Sequence, residues 1–539
     1  MKILIAEKVS PASLKVFRDE PDFEVVTHDQ ISDVLTAVRD ADALVVRSAT
    51  DVNAKLIDAA QKLRVIGRAG VGVDNVDTEA ATRKGIVVMN TPGANAIAVA
   101  EHTLGLMLSL ARFIPRADQT TRAGKWEKKS LQGTELRGKT LGIVGLGRVG
   151  VEVARLGKAF GMKVLAYDPF VSQQLARDLE IELIGLDRLY SASDYISLHV
   201  GLTPQTAGMI NASSIAKMKK GVRLVNCARG ELIDDAALVA ALNSGQVAGA
   251  ALDVFSQEPP KESPLLSAPN VIATPHIAGS TNEAQELVGV QIALQVKEYL
   301  KRSVIQNAVN VPSLSDEEYK EMHPYIDLAE KLGLFVGQLS EGNVESITVT
   351  YHGKVAEWKT ALLRNAALKG ALKQSIDSVN LVNAVSVASE RGIQVQEQKK
   401  PEDTSSGNVI SLNVRSHEGE HRARAAVLHG RYPRLLDLDG FHVEAPLEGH
   451  LIVLRNRDVP GVIGQLGTVL GKNAINIANF ALGRSDASAS SAVVSTSSGA
   501  ASVRAEAMAV VQADQAVTQA ALEELKRVNA VISVRPVQI

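Results

Sequence analysis

The chain has 539 residues, of which 45% are apolar and 22% are charged, and its formal net charge is −2. Domains usually contain roughly 100–200 residues, so this length predicts several of them, and the balanced charge offers no basic excess for nucleic acid. The lone cysteine, Cys227, excludes an intramolecular disulfide, and no run approaches the roughly 20 apolar residues of a membrane span. We therefore expect a multidomain protein of the cytoplasm that does not insert into membranes.

Short apolar runs alternate with polar or helix-like segments through the first hundred residues. These runs are KILIAE, DALVVRS, RVIGR and IVVMN. From Thr140 a second and longer series begins, and its six runs are TLGIVGLG, KVLAYD, YISLHV, VRLVNCA, AALDVF and VIATPH. Near-continuous apolar strands separated by helices are typical of parallel sheets covered on both faces, so two α/β lobes are predicted.

Two long helical patterns follow these series, one over residues 95–117 and the other over residues 285–303. We expect these helices to link the two lobes and to return the chain to the first lobe. Beyond Pro312 the sequence mixes charged, helix-like and strand-like pieces through residue 445. This change of pattern predicts a separate α+β domain.

The C-terminal residues show the order β-α-β-β-α-β, which is that of ferredoxin-like domains. A short linker punctuated by Pro446 and Gly449 precedes the first of these strands. A Ser/Ala-rich tract, residues 485–502, separates the second and third strands. Because this tract has almost no bulky side chains to bury, we expect it to be a mobile loop.

A glycine motif stands where the second series begins. Gly145, Gly147 and Gly150 form a GxGxxG directly after an apolar strand and before a helical pattern, and Asp168 ends the next strand. Such glycines let a pyrophosphate approach the helix N-terminus closely, while the carboxylate accepts hydrogen bonds from an adenosine ribose. The motif therefore predicts a dinucleotide site that prefers NAD to NADP. The alternative is an ordinary glycine-rich turn, with Asp168 capping its strand.

Three chemically distinct side chains follow later strands of the same series, namely Arg229, Glu258 and His276. Ligands of open α/β sheets gather at the carboxyl ends of strands, so these residues are predicted to converge. An imidazole can take the proton of a secondary alcohol, a neighbouring carboxylate stabilises the imidazolium, and a guanidinium holds a substrate carboxylate. Taken singly, each residue has an alternative explanation as a surface charge or a hydrogen-bonded loop histidine.

Cations for a second anionic group follow strands of the first lobe. Arg47 in VVRSAT and Arg68 in GRAGVGVDN are predicted to face the cleft between the lobes. Lys128 and Lys129 are predicted to add positive charge. The alternative is that all four are ordinary solvated residues of the surface.

Several strings resemble those of the D-3-phosphoglycerate dehydrogenases, a branch of the D-isomer-specific 2-hydroxyacid dehydrogenases. They are VVRSAT, GRAGVGVDNVD, MNTPGANAIAVAEH, GKWEKKSLQGTELRGKTLGI, VGLGRVG, NCARGELID, ALDVFSQEPP and TPHIAGSTNEAQ. The resemblance covers about residues 1–310 nearly without gaps. It implies NAD as the cofactor and a catalytic set made of Arg229, Glu258 and His276, in agreement with the chemistry of these side chains.

The resemblance also implies which residues contact the ligands. The predicted cofactor contacts are Val71, Gly145, Gly147, Arg148, Val149, Gly150, Asp168, Val200, Cys227, Ala228, Arg229, Asp253, His276, Ile277, Ala278 and Gly279. The predicted substrate contacts are Arg47, Ser48, Arg68, Gly70, Lys128 and Lys129. In the resembling family the lysine segment approaches the active site, sometimes from a neighbouring subunit. Cys227 is interpreted as a packed strand-end residue and not a nucleophile, and no metal ligands are predicted.

The last third of the chain resembles the regulatory part of long-form members of the same family. RDVPGVIGQLGTVLGKNAINIANFALGR resembles an ACT domain, an amino-acid-binding module, and residues 311–445 resemble the intervening domain. The resemblance implies that Asp458 and Asn476 meet an effector, typically L-serine, at an interface within a homodimer or homotetramer. The alternative is a helix-capping aspartate and a structural asparagine, and the Ser/Ala-rich tract departs from a compact ACT domain.

Residues and resemblance together predict NAD-dependent oxidation of 3-phospho-D-glycerate to 3-phosphohydroxypyruvate, the first step of L-serine biosynthesis. Feedback through the ACT domain and a side activity that reduces 2-oxoglutarate to 2-hydroxyglutarate are further expectations. Other D-2-hydroxy acids, such as glycerate, lactate or a phosphorylated erythronate, are alternative substrates. A nucleotide-sensing binding protein without turnover, like some transcriptional corepressors, is the alternative from another functional class.

The predicted fold class is α/β, with two Rossmann-like or flavodoxin-like lobes that contain parallel sheets. An α+β intervening domain and a ferredoxin-like ACT domain are expected to follow. The predicted boundaries are 1–97 plus 281–310 for the substrate-binding lobe, 98–280 for the NAD-binding Rossmann domain, 311–445 for the intervening domain and 450–539 for the ACT domain.

Overall fold

A computed structural model describes residues 1–312, 314, 316–376, 378–402, 407–484 and 506–539. The first lobe has a five-stranded parallel sheet in the order β2-β1-β3-β4-β5, which is the predicted flavodoxin-like arrangement. Its strands are β1 (Lys2–Ile5), β2 (Glu24–Thr27), β3 (Ala43–Val46), β4 (Val65–Arg68) and β5 (Val87–Met89). Its helices are α1 (Pro11–Arg18), α2 (Val34–Ala37), α3 (Ala54–Ala59) and α4 (Thr78–Arg83). The half-exposed β2 was not among the predicted runs, because an edge strand lacks their continuous apolar character.

The long helical pattern after the first lobe forms two helices, α5 (Ala96–Arg112) and α6 (Ile114–Arg122). The expectation of one continuous helix is wrong because Phe113 between them has a left-handed φ of 55°. The two axes meet at 63°. Among the described residues no single helix is long and apolar enough to cross a membrane, and this bent pair passes that test only when joined.

The second lobe has a seven-stranded parallel sheet in the order β12-β11-β10-β9-β6-β7-β8. Its strands are β6 (Thr140–Val144), β7 (Lys163–Tyr167), β8 (Glu182–Leu183), β9 (Tyr195–Leu198), β10 (Val222–Asn226), β11 (Val247–Leu252) and β12 (Val271–Ala273). Its helices are α7 (Arg148–Ala159), α8 (Gln173–Asp178), α9 (Leu186–Ala192), α10 (Ala212–Ala216) and α11 (Asp235–Ser244). The six predicted strands are all present, and β8 extends the sheet at one edge. The strand order reverses between β6 and β9, which places the ligand crevice of this fold beside the end of β6.

Helix α12 (Asn282–Arg302) returns the chain to the first lobe, as predicted. It packs on α1 and on β4. Ile292 and Val296 lie so close to Gly67 of β4 that a Cβ there would stand 2.8–2.9 Å from them. The middle of α12 therefore packs directly on the sheet of the first lobe.

The third unit combines a mixed six-stranded sheet, in the order β14-β13-β15-β16-β17-β18, with helices, which is the predicted α+β class. Its helices are α13 (Asp316–Leu339), α14 (Ala361–Leu372) and α15 (Ala384–Glu390). Its strands are β13 (Val344–His352), β14 (Gln394–Lys400), β15 (Val409–Ser416), β16 (Gly419–Leu428), β17 (Tyr432–Leu438) and β18 (Phe441–Pro446). One apolar core joins this unit to the first lobe and includes Phe17, Ile292 and Phe335.

The C-terminal unit confirms the ferredoxin-like prediction. It contains β19 (His450–Arg457), α16 (Val462–Lys472), β20 (Ile477–Arg484), β21 (Glu506–Ala513), α17 (Gln519–Lys526) and β22 (Val531–Gln538). The strands pair antiparallel in the order β20-β21-β19-β22. The tract 485–502, expected to be a mobile loop, lies outside the described residues.

Candidate active site

The glycine motif forms a tight turn between β6 and α7. Gly145 has a φ of 96°, and its backbone N donates a hydrogen bond to the Tyr167 carbonyl at 2.8 Å. A Cβ on Gly150 would overlap the Gly145 carbonyl, so only glycine lets the helix start pack on the turn. A Cβ position on Gly147, in contrast, has no atom of the described residues within 4 Å. The turn therefore leaves the N-terminus of α7 accessible to an anion.

Asp168 lies beside this turn, at the end of β7. Its Oδ2 accepts a hydrogen bond from the Leu146 backbone N at 2.8 Å. Its Oδ1 accepts from the backbone N atoms of Phe170 and Val171, at 2.8 and 3.1 Å. These three contacts fix the carboxylate and leave about one of its roughly four lone-pair sites, on Oδ2, to accept from a ribose hydroxyl.

His276 and Glu258 form a close pair. The His276 Nδ1 lies 2.7 Å from Glu258 Oε2, and the other carboxylate oxygen accepts from the Phe255 backbone N at 3.1 Å. The imidazole side chain is 54% exposed and the carboxylate 37%, so a ligand in the cleft can reach them. This arrangement leaves Nε2 of His276 as the ring nitrogen free to exchange a proton with a ligand.

A buried carboxylate organises the segment that carries His276. Asp253 has no exposed surface, and its two oxygens accept from the backbone N atoms of Ile277 and Ala278 at 2.9 and 2.8 Å. Its backbone carbonyl accepts from the His276 N at 2.9 Å. Because His276 has a left-handed φ of 54°, which a non-glycine residue rarely adopts, the segment needs this support.

Two further side chains hold Asp253 in place. Thr274 Oγ1 donates to Oδ1 at 2.6 Å, and His102 Nε2 of α5 lies 3.5 Å from the same oxygen. Burial acts to raise the pKa of Asp253, but the hydrogen bonds from His102, Thr274 and the backbone outweigh it and lower that pKa overall. Asp253 is therefore an ionised anchor beneath the His276 segment.

Arg229 reaches across the cleft between the lobes. Its Nη2 donates to Asp74 Oδ2 of the first lobe at 2.9 Å, and its Nη1 donates to the Ala228 carbonyl at 2.7 Å. The next residue, Gly230, abuts the backbone of Phe255, where a Cβ would overlap that chain. The structure therefore places Arg229 on strand ends adjacent to those that carry Glu258 and His276.

The first lobe contributes two more guanidinium groups to the cleft. Arg68 is held against Gly70, whose missing Cβ leaves room for its guanidinium. Burial lowers the pKa of Arg68, and so do the positive charges of Arg229 and Arg47, while Asp74 and Glu7 act in the opposite direction. Val46 of β3 pairs with Arg68 of β4, so Arg47 and Arg68 lie at adjacent strand ends. Arg47 is bound through its guanidinium to Gln285 and to the Lys8 carbonyl.

The remaining predicted ligand contacts differ in their surroundings. Val200 packs against Gly145, and Val71 accepts a hydrogen bond from Asn90 at its carbonyl. Ser48 is exposed at the end of β3. Burial raises the pKa of the Cys227 thiol to about 12, so it stays protonated near neutral pH and lacks the thiolate that a nucleophile needs.

Comparisons with known proteins identify the family of this chain. Residues 104–278 match the NAD-binding domain of the D-isomer-specific 2-hydroxyacid dehydrogenases, and residues 321–439 match the D-3-phosphoglycerate dehydrogenase intervening domain. D-3-phosphoglycerate dehydrogenase from Synechocystis is 44% identical over 485 residues, covering 90% of this chain and 88% of the relative. The enzyme of that name from Methanocaldococcus jannaschii is 43% identical and covers 90% and 93%. The chain belongs to the D-3-phosphoglycerate dehydrogenase family.

Solved structures resemble the catalytic part of the chain. The TT0316 protein from Thermus thermophilus is 34% identical with a TM-score of 0.53, covering 57% of this chain and all of that one. D-lactate dehydrogenase from Aquifex aeolicus, solved with NAD and lactic acid, is 30% identical with a TM-score of 0.51, covering 58% and 100%. The chain is thus an NAD-dependent oxidoreductase of the 2-hydroxyacid dehydrogenase class.

The glycine turn fits NAD. The open space at Gly147 lies at the N-terminus of α7, where free backbone N–H groups suit a pyrophosphate, and Asp168 stands ready for the ribose. The Arg148 guanidinium donates to the Pro92 carbonyl of the first lobe and so spans the cleft beside the turn. Val149 follows it in the first turn of the helix.

Lys128 and Lys129 lie away from this cleft within the same chain. Helix α5 starts beside Gly279, where Asn95 is adjacent, and its 17 residues carry the chain about 25 Å toward the opposite edge of the sheet. There Leu110 meets Gly249 near the start of β11. Both lysines follow α6 beyond this point and are exposed. This path of the chain leads both lysines away from the carboxyl ends of the strands, where Glu258 and His276 lie.

Asp458 and Asn476 are not brought together within one chain either. Asp458 pairs with Arg484 Nε at 2.7 Å, at a turn that lines a cavity of about 470 Å³. Asn476 donates to Asp514 Oδ2 at 2.6 Å. Asn476 precedes β20 and Arg484 ends it, so one strand length of about 26 Å separates the two predicted effector residues.

Three residues that contact the site were missed by the sequence reasoning, namely Asp74, His102 and Gln285. Each stands inside a string that carried the family resemblance, GRAGVGVDNVD, MNTPGANAIAVAEH or TPHIAGSTNEAQ. Their partners are remote in the chain, since Asp74 pairs with Arg229, His102 with Asp253 and Gln285 with Arg47. The strings marked these positions, but only the fold shows what they touch.

Proposed function

We propose that the chain oxidises 3-phospho-D-glycerate to 3-phosphohydroxypyruvate with NAD, the first step of L-serine biosynthesis. The observation that carries this proposal is the placement of three guanidinium groups at one cleft. Arg229 of the second lobe reaches Asp74 of the first, and Arg47 and Arg68 lie at the adjacent ends of β3 and β4. A substrate with an anionic group at each end suits such a cluster, and His276 with Glu258 stands beside it. The names of the relatives add support.

In this proposal Arg229 binds the substrate carboxylate through paired hydrogen bonds, for which a planar guanidinium is suited. Its Nη2 donates to Asp74 across the cleft, and a substrate carboxylate replaces that exposed partner. The exchange of one carboxylate for another keeps the charge of the guanidinium neutralised. Arg47 and Arg68 bind the phosphate at the other end of the substrate.

His276 accepts the proton of the substrate hydroxyl at Nε2, because Nδ1 faces Glu258. The Glu258 carboxylate stabilises the positive charge that then forms on the imidazole, and it fixes the orientation of the ring. When bound, NAD supplies the acceptor for the hydride, which leaves the substrate carbon that carries this hydroxyl. Asp253 keeps the His276 segment in its strained conformation throughout.

The proposal extends to regulation and assembly. The C-terminal units act as ACT domains, and L-serine binds between those of two chains in a homodimer or homotetramer. The separation of Asp458 from Asn476 within one chain supports a site that two chains share. The dicarboxylate 2-oxoglutarate also has two anionic ends, which supports its reduction to 2-hydroxyglutarate as a side activity. We place the enzyme in the cytoplasm, where its single thiol needs no disulfide partner.

A substrate panel tests the proposal. NADH formation is measured with 3-phosphoglycerate, glycerate, lactate, a phosphorylated erythronate and 2-hydroxyglutarate, each with and without L-serine. We expect the highest kcat/KM with 3-phosphoglycerate and a lower rate when serine is present. Equal or better oxidation of an unphosphorylated short acid would reject the phosphate role, and NAD binding without turnover of any acid would favour a nucleotide-sensing protein.

A further inference from the structure

One side chain joins the predicted phosphate-binding arginine to the segment of the catalytic histidine. The Oε1 of Gln285, in the first turn of α12, accepts a hydrogen bond from the Arg47 guanidinium. Its Nε2 donates to the Gly279 carbonyl at 3.0 Å. Gly279 is the last residue of the segment that begins at His276 and rests on Asp253. The amide of Gln285 therefore touches both functional parts of the site at once.

The backbone that carries this amide is fixed. Gln285 follows the buried Ala284, and the helix is capped by Thr281, which accepts at its hydroxyl from the Ala284 backbone N at 3.2 Å. Three residues on, the buried Val288 fixes the next turn against the first lobe. The side-chain amide therefore reaches Arg47 and Gly279 from a fixed main-chain position.

The main chain of Arg47 is equally fixed. Its backbone N donates to Glu7 Oε1 at 2.8 Å, and its carbonyl accepts from Asn75 at 2.7 Å. Only its guanidinium is free to respond to a bound anion. Of the five N–H donors of a guanidinium, those bound to Gln285 and to the Lys8 carbonyl leave others for a phosphate.

We infer that Gln285 is a positioning residue that couples phosphate recognition at Arg47 to the placement of His276. This inference rests on the proposed oxidation of 3-phosphoglycerate and deepens it. A phosphate that orders the Arg47 guanidinium also orders Gln285, and Gln285 orders Gly279 at the end of the histidine segment. Binding energy from the remote phosphate then appears in kcat, and not only in KM.

The chemistry of the side chain explains why glutamine serves here. One amide supplies an acceptor for the arginine and a donor for the carbonyl. A glutamate of the same length keeps the acceptor but offers no N–H to Gly279 and repels its carbonyl oxygen. A methionine of similar length offers neither function.

The test compares Gln285→Met and Gln285→Glu with the native enzyme, using 3-phosphoglycerate and D-glycerate as substrates. We expect Gln285→Met to lower kcat for 3-phosphoglycerate by roughly tenfold to a hundredfold, as small misplacements of catalytic groups do, with a smaller change in KM. The loss for D-glycerate should be several times smaller, because that substrate has no phosphate to engage Arg47. Gln285→Glu should show the same selective loss.

Gln291→Met is the matched control, since this glutamine lies later on α12 and is remote from both contacts. It should leave both kcat values unchanged, and the melting temperature of every variant is recorded. In Arg47→Met, adding Gln285→Met should change the kcat ratio of the two substrates little, because the coupling partner is gone.

Two results would overturn the inference: an equal fold-loss of kcat for both substrates in Gln285→Met, or no loss of kcat for either substrate. Failure of the proposed function has a different signature, because the native enzyme itself would then fail to prefer 3-phosphoglycerate. If Gln285→Met is too unstable to assay, the comparison rests on Gln285→Glu, where the same selective loss supports the inference and its absence rejects it.

Discussion

The edge of the second-lobe sheet and the C-terminal sheet place their functional residues in opposite ways. Strands β10, β11 and β12 run parallel, so the residues that follow them, Arg229, Glu258 and His276, reach the same edge. In the C-terminal sheet β19 and β20 both pair antiparallel with β21 and therefore run in one direction. Asp458 follows the end of β19, whereas Asn476 precedes the start of β20. The two residues therefore lie at opposite ends of strands that run in the same direction.

Strand direction decides which residues of one chain can act together. A parallel sheet collects residues remote in sequence at one edge, and the predicted catalytic set is brought together within a single chain. The C-terminal sheet holds its two predicted effector residues a strand length apart. The proposed catalysis therefore needs one chain, whereas the proposed effector site, if it includes both residues, needs two.

The largest expected effect tests the catalytic edge. In His276→Ala, kcat should fall by roughly 10²- to 10⁴-fold, the usual contribution of a positioned acid–base group. NAD affinity, measured by calorimetry, should stay close to the native value because the imidazole acts on the substrate proton. His28→Ala, which removes an exposed histidine of the first lobe, is the control for NADH formation. Native turnover in His276→Ala would show that the histidine has no role in the mechanism. The contrast between the catalytic edge and the C-terminal sheet would then have no support.

The second effect tests the contribution of the first lobe to the same cleft. Arg68→Met should reduce kcat/KM for 3-phosphoglycerate by roughly tenfold to a hundredfold, which is the range for one charge-assisted hydrogen bond. The loss for D-glycerate should be much smaller, since that substrate lacks the phosphate. Arg83→Met, at an exposed arginine of α4, serves as the control in the same assays. Equal losses of kcat/KM for both substrates would show that Arg68 supports the fold and does not bind the phosphate.

The sequence could predict which residues meet at the carboxyl edge of the parallel sheet, because each of them directly follows an apolar strand. Each of Arg229, Glu258 and His276 follows its own apolar strand, and the fold class alone brings such strand ends together. The break at Phe113 was not predictable in this way, because its left-handed φ of 55° interrupts a continuous helical pattern. Contacts of Asp74 and His102 depend on how separate elements pack, so no spacing in the sequence encodes them.

In the C-terminal unit, too, the sequence predicted the elements but not the placement of every residue. Its strand and helix order was predicted correctly from periodicity alone. The separation of Asp458 from Asn476 within one chain was not predicted, because it depends on strand direction in the sheet. A motif therefore locates a residue along the chain, and the topology decides which residues of that chain lie beside it.

The third effect tests the interchain assignment directly. Asp458→Asn and Asn476→Ala should each remove inhibition by L-serine when produced alone. Co-produced in one cell, the two variants form mixed dimers in which one of the two shared sites has both native residues. Partial inhibition should then return, measured as the serine concentration that halves the rate of NADH formation. If L-serine does not inhibit the mixture, or does not inhibit the native enzyme, the proposal of a shared effector site is wrong.

The smallest expected effects concern two histidines, one in the second lobe and one in the third unit, that make stability depend on pH. Burial lowers the pKa of His199, which contacts Ser197 at the end of β9, from 6.5 to about 4. In the third unit the hydrogen bond that His421 donates to the Asp439 carboxylate raises the pKa of His421, against the opposing effects of burial and of Arg535, with Glu341 also raising it. The two histidines therefore link stability to pH with opposite signs.

The signs follow from which state binds the proton more tightly. Between pH 6.5 and about 4 the unfolded chain protonates His199 before the folded one does, so acidification removes stability there. At His421 the folded state binds the proton more tightly, so its contribution is complete below pH 6.5 and is lost as the pH rises above that value. The melting temperature of His199→Asn should thus approach the native value as the pH falls from 6.5 toward 4. That of His421→Asn should approach it as the pH rises above 6.5, and gaps that move in the same direction for both variants would contradict the opposite linkage.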